Sequence, residues 1–296
     1  MIIAGKSKID KGQLQERVNK GAEYLELHLD SVDVEDNKAI NKSLEILKPF
    51  KDMVIVVHTP INFKYAIECI STDKGFNMIS NTSRLAQKIA EETSRTVHQV
   101  IHMELGYNHI KELELDQIIT ERIGLLLEKN NNITLNLENS SAINLENDEF
   151  VFRPNHFDKC VKYCEKLRNT LSTDRIGLVL DICHALNTIR IYDALNKIAV
   201  SKKIQLETFL NVYLPYLNVI HLANASGLGF EKGHGVPFKS VDDVEILIKI
   251  IKKLKEEKYN KVVTIEMLEE DYLNIKNMNF TMRQLKNLSE CLEIKL

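Results

Sequence analysis

The chain has 296 residues, of which 44% are hydrophobic and 27% charged, and a formal net charge of −3. These proportions exclude a collagen-like or disordered chain, and the missing basic excess argues against a protein that coats nucleic acid. No apolar run reaches the roughly 18 residues of a membrane span, and the opening MIIAGKSKID is too short and polar for a secretory signal.

Short β-branched runs alternate with longer stretches of helical period. In chain order the expected strands are Ile2–Ala4, Tyr24–Leu29, Met53–His58, Val97–Met103, Ile133–Glu138, Ile176–Asp181, Asn218–Ala223 and Val262–Glu266. Amphipathic helices are expected at Asn77–Thr93, Leu113–Lys129, His156–Leu171, Val241–Glu257 and Phe280–Ile294. Such alternation implies parallel strands joined by right-handed crossovers. Eight units in 296 residues predict an α/β fold, a (β/α)8 TIM barrel, as a single domain over 1–296. The competing open, doubly wound sheet would carry a glycine-rich turn after its first strand, and the sequence has none. The connections Asn139–Arg153 and Ala185–Lys203 are long, the second with room for a short helix, and long loops in compact domains are often functional. The five cysteines follow no disulfide or zinc-finger spacing. Cys160 and Cys164 read as packing neighbours on one helix, and a reducing cytoplasm suits such thiols.

Chemistry-bearing residues recur at one height. The strand candidates end, or nearly end, in His28, His58, His102, Glu138, Asp181, His221 and Glu266, spaced by 30, 44, 36, 43, 40 and 45 residues. One strand–helix unit occupies about that length, so these side chains would ring one rim. Side chains two apart share a strand face. Gly177, Val179 and Asp181 form one such series, Val219 and His221 a second, and Val262, Thr264 and Glu266 a third. Each series runs out at the carboxyl end, where barrel enzymes hold their chemistry. Carboxylates crowded there repel one another unless a divalent cation neutralises them. His28 and Glu26 share a face of the second strand and are candidates to touch substrate. His98 shares a face with His102 but lies about 13 Å away at strand rise, too far to bind the same ion. His109 and His156 read as exposed, and Cys183 as packing.

Short segments carry a resemblance. LNLENSS holds Glu138 and Asn139, LDICHAL holds Asp181 and His184, IHLANAS holds His221, Asn224 and Ser226, and VTIEM holds Glu266. Upstream, VVHTP and VIHMEL carry His58 and His102. In this order the segments resemble the xylose-isomerase-like TIM barrel superfamily (AP endonuclease family 2), and within it endonuclease IV. The resemblance implies a central metal on Glu138, Asp181, His221 and Glu266. It implies a second metal, bridged by Glu138 and held by His58 and His102, with His184 serving a third metal or the substrate. There are departures. The loop GLGFEKGHGVPF offers His234 and Glu231 but no Asp-x-His pair, with Lys232 in the aspartate's place. The turn after the fourth strand reads His102-Met-Glu-Leu-Gly instead of histidine-proline-glycine. The first strand lacks a polar end. Residues 227–235 contain four of the eleven glycines, a composition suited to a lid or to close approach of a phosphate.

Two functions follow from different chemistries. The first is a divalent-metal-dependent phosphoester hydrolase, with one to three ions, zinc by its mixed ligands or else manganese. The second is a single-metal sugar or sugar phosphate isomerase or epimerase, with Glu138 and Glu266 as acid and base. In both, Glu138 and Glu266 are the catalytic carboxylates, and His184, His234 and His28 face the substrate. The expected partner is a small phosphorylated or sugar substrate, with nucleic acid the partner implied by endonuclease IV, and no membrane.

Overall fold

Eight parallel strands close on themselves in the computed structural model. They are β1 (Ile2–Ser7), β2 (Tyr24–His28), β3 (Val54–His58), β4 (Val97–His102), β5 (Ile133–Glu138), β8 (Ile176–Asp181), β9 (Leu217–Leu222) and β10 (Val262–Ile265). Around the barrel the order is β1-β10-β9-β8-β5-β4-β3-β2. Two further strands, β6 (Ile143–Glu146) and β7 (Glu149–Phe152), form an antiparallel hairpin on the loop after β5. The structure describes residues 1–60, 67–103, 112–140, 143–146, 149–152, 156–196, 205–226 and 233–292. Among them the helices are α1 (Lys11–Asn19), α2 (Asn37–Leu47), α3 (Asp73–Thr93), α4 (Glu112–Lys129), α5 (His156–Leu171), α6 (Ile182–Asn196), α7 (Leu206–Tyr213), α8 (Val241–Glu256) and α9 (Lys276–Cys291). None of these is long and apolar enough to cross a membrane.

The (β/α)8 barrel expected from the strand–helix alternation is what forms. Alternation within each strand builds two apolar layers. Leu25, Leu27, Val57, Ile101, Leu137, Leu180, Ile220 and Ile265 face outward into the core shared with the helices. Ala4, Val56, Val100, Val179, Val219 and Val262 form a separate cluster inside the barrel. Each fully buried aliphatic side chain contributes about 1.5–3 kcal/mol. Side-chain caps set helix starts, as where Asp10 accepts from Gln13 N and where Ser240 and Asp243 form a capping box.

Three features differ from the sequence-based expectation. β1 runs three residues beyond Ala4 to Ser7, so the first strand does have a polar end, Lys6. Lysine and serine are poor strand formers, and here pairing of Lys6 and Ser7 with Glu26 and Leu27 of β2 overrides that preference. The segment after β5 holds the β6–β7 hairpin, whose runs of four residues are too short for a two-residue period to stand out. Between Ala185 and Asn196 the chain continues as α6, which starts directly after β8.

The lower end of the barrel interior is closed by a polar chain. His98 Nδ1 lies 2.7 Å from Thr134 Oγ1, and Asn136 Nδ2 donates to Thr134 Oγ1 (3.0 Å) and Gln99 O (3.1 Å). Asn218 Nδ2 donates to Asn136 Oδ1 at 2.7 Å, and Lys261 Nζ donates to Asn218 Oδ1 at 2.8 Å. Gly177 lies beside this chain. A Cβ there would overlap Asn218 Nδ2 and stand 2.7 Å from Asn136 Oδ1.

Candidate metal centre

The opposite end of the barrel carries one polar residue per strand. Register sets His28 beside His58, His102 beside Glu138, and Asp181 beside His221. Lys6 and Glu266 complete the ring at the ends of β1 and β10, and Glu26 stands one layer below on β2.

Glu138 is the hub. Its Oε2 lies 3.0 Å from His58 Nε2 and 3.1 Å from His102 Nε2, while its Oε1 lies 3.1 Å from His221 Nδ1. That same Nδ1 lies 2.9 Å from Glu266 Oε2 and 4.0 Å from Asp181 Oδ2. One ring hydrogen cannot serve three carboxylate oxygens. Glu266 Oε2 is buried and competes with Glu138 and Asp181 for that one hydrogen. A cation among the four groups would satisfy all of them.

The surrounding bonds orient the rings. His221 Nε2 donates to Glu26 Oε2 at 3.0 Å, which turns Nδ1 toward the three carboxylates. His58 Nδ1 donates to the carbonyl of Thr59 at 2.7 Å and so presents Nε2 to Glu138. Pairing of the far ring nitrogen with a carboxylate or carbonyl is the usual support of a metal-ligating histidine. Asp181 plays two parts. Its Oδ1 accepts from His184 N (2.7 Å) and caps α6, while Oδ2 faces the cluster. The strand therefore passes into the helix without an intervening turn, and His184 sits in the first helical turn. His184 Nδ1 donates to Asn139 O (2.7 Å), and its Nε2 lies 3.2 Å from Nε2 of His234.

Among the described residues four ligand groups result, each with its donor atoms within 4.8 Å of one another. They are Glu138–Asp181–His221–Glu266, His58–His102–Glu138, Asp181–His184–His234, and Glu26–His58–His221. Six of the nine histidines lie in this cluster, linked by ring-centroid distances of 5.1 to 6.4 Å. His28 stacks at the edge, 5.7 Å from His58. His98 lies in the base, well away from His102. His109, Glu231 and Lys232 lie outside the described residues.

Charge is unbalanced here. Glu26, Glu138, Asp181 and Glu266 face a single ammonium, that of Lys6, whose Nζ is 2.7 Å from Glu266 Oε1 and 3.4 Å from Glu26 Oε1. Burial disfavours the Lys6 ammonium, but Glu266, Glu26 and Glu138 outweigh it and raise its pKa. Burial likewise opposes ionised Glu26, but His221 and Lys6 prevail and hold it at about 2. Burial also disfavours a charged His221, but Glu26 and Glu138 raise its pKa well above 6.5. Burial, reinforced by Lys6, lowers His58 below 6.5 and His28 to about 3, which keeps both rings neutral as ligation requires. Burial and neighbouring Asp181 push the Cys183 thiol far up, so Cys183 is a packing residue without thiolate character. The donor set, an excess of buried carboxylates with imidazoles, fits a divalent cation.

Lys6 and the role of Glu26 in holding His221 are not evident from strand-end positions. Continuing the Ile2, Ala4 alternation by one step would have reached Lys6.

Fold and cluster together define a (β/α)8 barrel with a ligand-rich carboxyl-end mouth, the enzyme face of such barrels. The chain belongs to the family described as xylose isomerase-like TIM barrel, whose model matches residues 18–288. Solved structures share the fold. A xylose isomerase domain protein from Planctomyces limnophilus superposes with a TM-score of 0.63 at 11% identity, covering 99% of this chain and 98% of that one. Endonuclease IV from Thermus thermophilus gives 0.58 at 15%, covering 97% and 100%. The 3-keto-D-glucoside 4-epimerase from E. coli gives 0.58 at 12%, covering 98% and 100%. Among curated proteins, no relative matches the sequence.

Proposed function

We propose that the protein is a divalent-metal-dependent phosphoester hydrolase acting on a small phosphoester. One observation carries this reading. The two oxygens of Glu138 face two different ligand sets, His58 and His102 on one side and His221 with Asp181 and Glu266 on the other. A single-metal isomerase has no use for the first set. When bound, two ions supply Lewis-acid activation of water and stabilisation of the leaving oxygen. Glu138 bridges the two sets. Glu26 fixes the tautomer of His221, and Lys6 offsets the charge of Glu266. His184, His234 and His28 line the approach for substrate. The function belongs to one catalytic domain. It is a cytoplasmic one, in keeping with five cysteines of which none is in a disulfide.

The second reading, a sugar or sugar phosphate epimerase, draws on another contact. Glu138 Oε1 and Glu266 Oε2 both reach His221 Nδ1, so two glutamates flank one ligand position, as a two-sided proton shuttle needs.

Metal analysis separates the two. The chain reconstituted with zinc or manganese is expected to hold more than one ion, and His58→Ala with His102→Ala to lower the count by about one, alongside hydrolysis in a phosphoester panel. One ion per chain, unchanged by the double substitution, with turnover in a ketose panel instead, establishes the epimerase.

A further inference from the structure

A cavity of about 200 Å³ opens beside the metal centre, between the end of β1, the start of α1 and the segment after β10. Among its lining residues are Lys6, Lys8, Gln13, Arg17, His28 and Tyr272, with Glu266 at its inner end. It is smaller than the roughly 300–1,000 Å³ of sites for drug-sized ligands, so a compact group fits it.

Its walls are prebuilt. Arg17 is 1% exposed and bonds to backbone carbonyls of all three walls: Lys6 O at 3.0 Å, Gln13 O at 3.3 Å, and Tyr272 O. Lys8 is held at the outer edge by Asp30, 2.6 Å away. Lys6 is nine-tenths buried. Its Nζ contacts two carboxylates. Three cationic side chains and one carboxylate line the space. That carboxylate, Glu266, has Oε1 on Lys6 and Oε2 on His221, so it is paired on both sides and occupies one of the three N–H groups of Lys6.

We infer that this cavity is an anion subsite, in which Lys6 receives a second negatively charged group, a carboxylate or a second phosphate, on the substrate whose phosphoester lies at the metal centre. The inference rests on the hydrolase reading and narrows it to small phosphoesters bearing two anions. Fixed cationic walls bind an anion without reorganising, and an ammonium with unused hydrogen-bond capacity accepts a carboxylate or phosphate as a charge-assisted partner. Duplex nucleic acid cannot place a backbone in so small a space.

The test is crystallographic and calorimetric. Crystals of the metal-loaded protein are soaked in tungstate, a phosphate-like dianion with strong anomalous scattering. One peak is expected within hydrogen-bond reach of Lys6 Nζ and another at the Glu138 ligand sets. Lys6→Met removes the first peak and Lys6→Arg keeps it. In solution, 3-phosphoglycerate and propane-1,3-diol bisphosphate are each compared with glycerol 3-phosphate. At least one is expected to bind tenfold or more tightly, and which one gains tells carboxylate from phosphate. A wild-type cavity without tungstate, a peak that survives Lys6→Met, or equal binding of all three esters overturns the subsite. A cavity peak with none at the metal centre leaves the subsite standing and overturns the hydrolase reading instead.

Discussion

Both ends of the barrel interior are polar, and they are polar in opposite ways. At the base, His98, Thr134, Asn136, Asn218 and Lys261 form a chain in which donors meet acceptors, with one charge among them. At the mouth, four carboxylates meet one ammonium, a single imidazole nitrogen faces three carboxylate oxygens, and buried oxygens of Glu26 and Glu266 accept no hydrogen bond. A satisfied network specifies structure, whereas an unsatisfied one costs stability unless a ligand completes it. The base is therefore a plug and the mouth is the candidate site, although composition alone would not tell them apart.

The largest expected effect tests whether the mouth is incomplete. Glu138→Gln should remove at least one ion per chain from the metal-loaded protein, and the variant should gain less in melting temperature on metal loading than the wild type does. Metal analysis and thermal melts check both halves. A variant that keeps its ions and the wild type's full gain on loading would mean that the mouth satisfies itself as the base does.

The base yields the next effect. Gly177→Ala forces a Cβ into the Asn136–Asn218 hydrogen bond. Overpacking with loss of that bond should cost about 3 kcal/mol in a denaturant melt, with metal content unchanged. A milder change is expected from Glu26→Gln, which keeps the shape but weakens the acceptor that orients His221. Metal affinity should fall about 10–100-fold, read by competition with a chelator. Equal affinity would demote Glu26 from orienting group to filler of the barrel's middle layer.

Much of this was legible in the sequence. Eight β-branched runs with helical stretches between them dictate the closed barrel, and polar residues ending those runs every 30 to 45 residues dictate a common rim. Strand alternation separates Val179 and Val219 inside from Leu180 and Ile220 outside. What stayed hidden depends on contacts across the barrel. Lys6 lies in a run of glycine, lysine and serine, which strand propensity discounts, and only pairing with β2 extends β1 that far. Glu26 reads as one more polar residue until closure brings His221, 195 residues away, within 3.0 Å. Asp181 invites a choice between helix cap and ligand, but a carboxylate has two oxygens, and here one caps the helix while the other faces the cluster. The β6–β7 hairpin was hidden by the brevity of its strands.

The smallest effects should appear in the pH dependence of the metal-free chain, where the two ends pull in opposite directions. At the base, burial and the nearby charge of Lys261 lower His98 to about 4. The folded state thus binds that proton less well than the unfolded one, and the stability contributed is present above about pH 6.5 and lost as pH falls toward 4. At the mouth, Glu26 and Glu138 overcome burial and raise His221. Its contribution is present below about pH 6.5 and lost as pH rises through the folded value. Stability of the metal-free protein should therefore slope downward on both sides of about pH 6.5, by at most about 1.4 kcal/mol per pH unit per group. Metal loading should abolish the alkaline slope, because a coordinated Nδ1 has no proton to lose. Histidine NMR titrations with and without metal check this directly. If the His98 resonance shifts on metal binding, the plug and the site are one coupled network, and the contrast between the two ends fails.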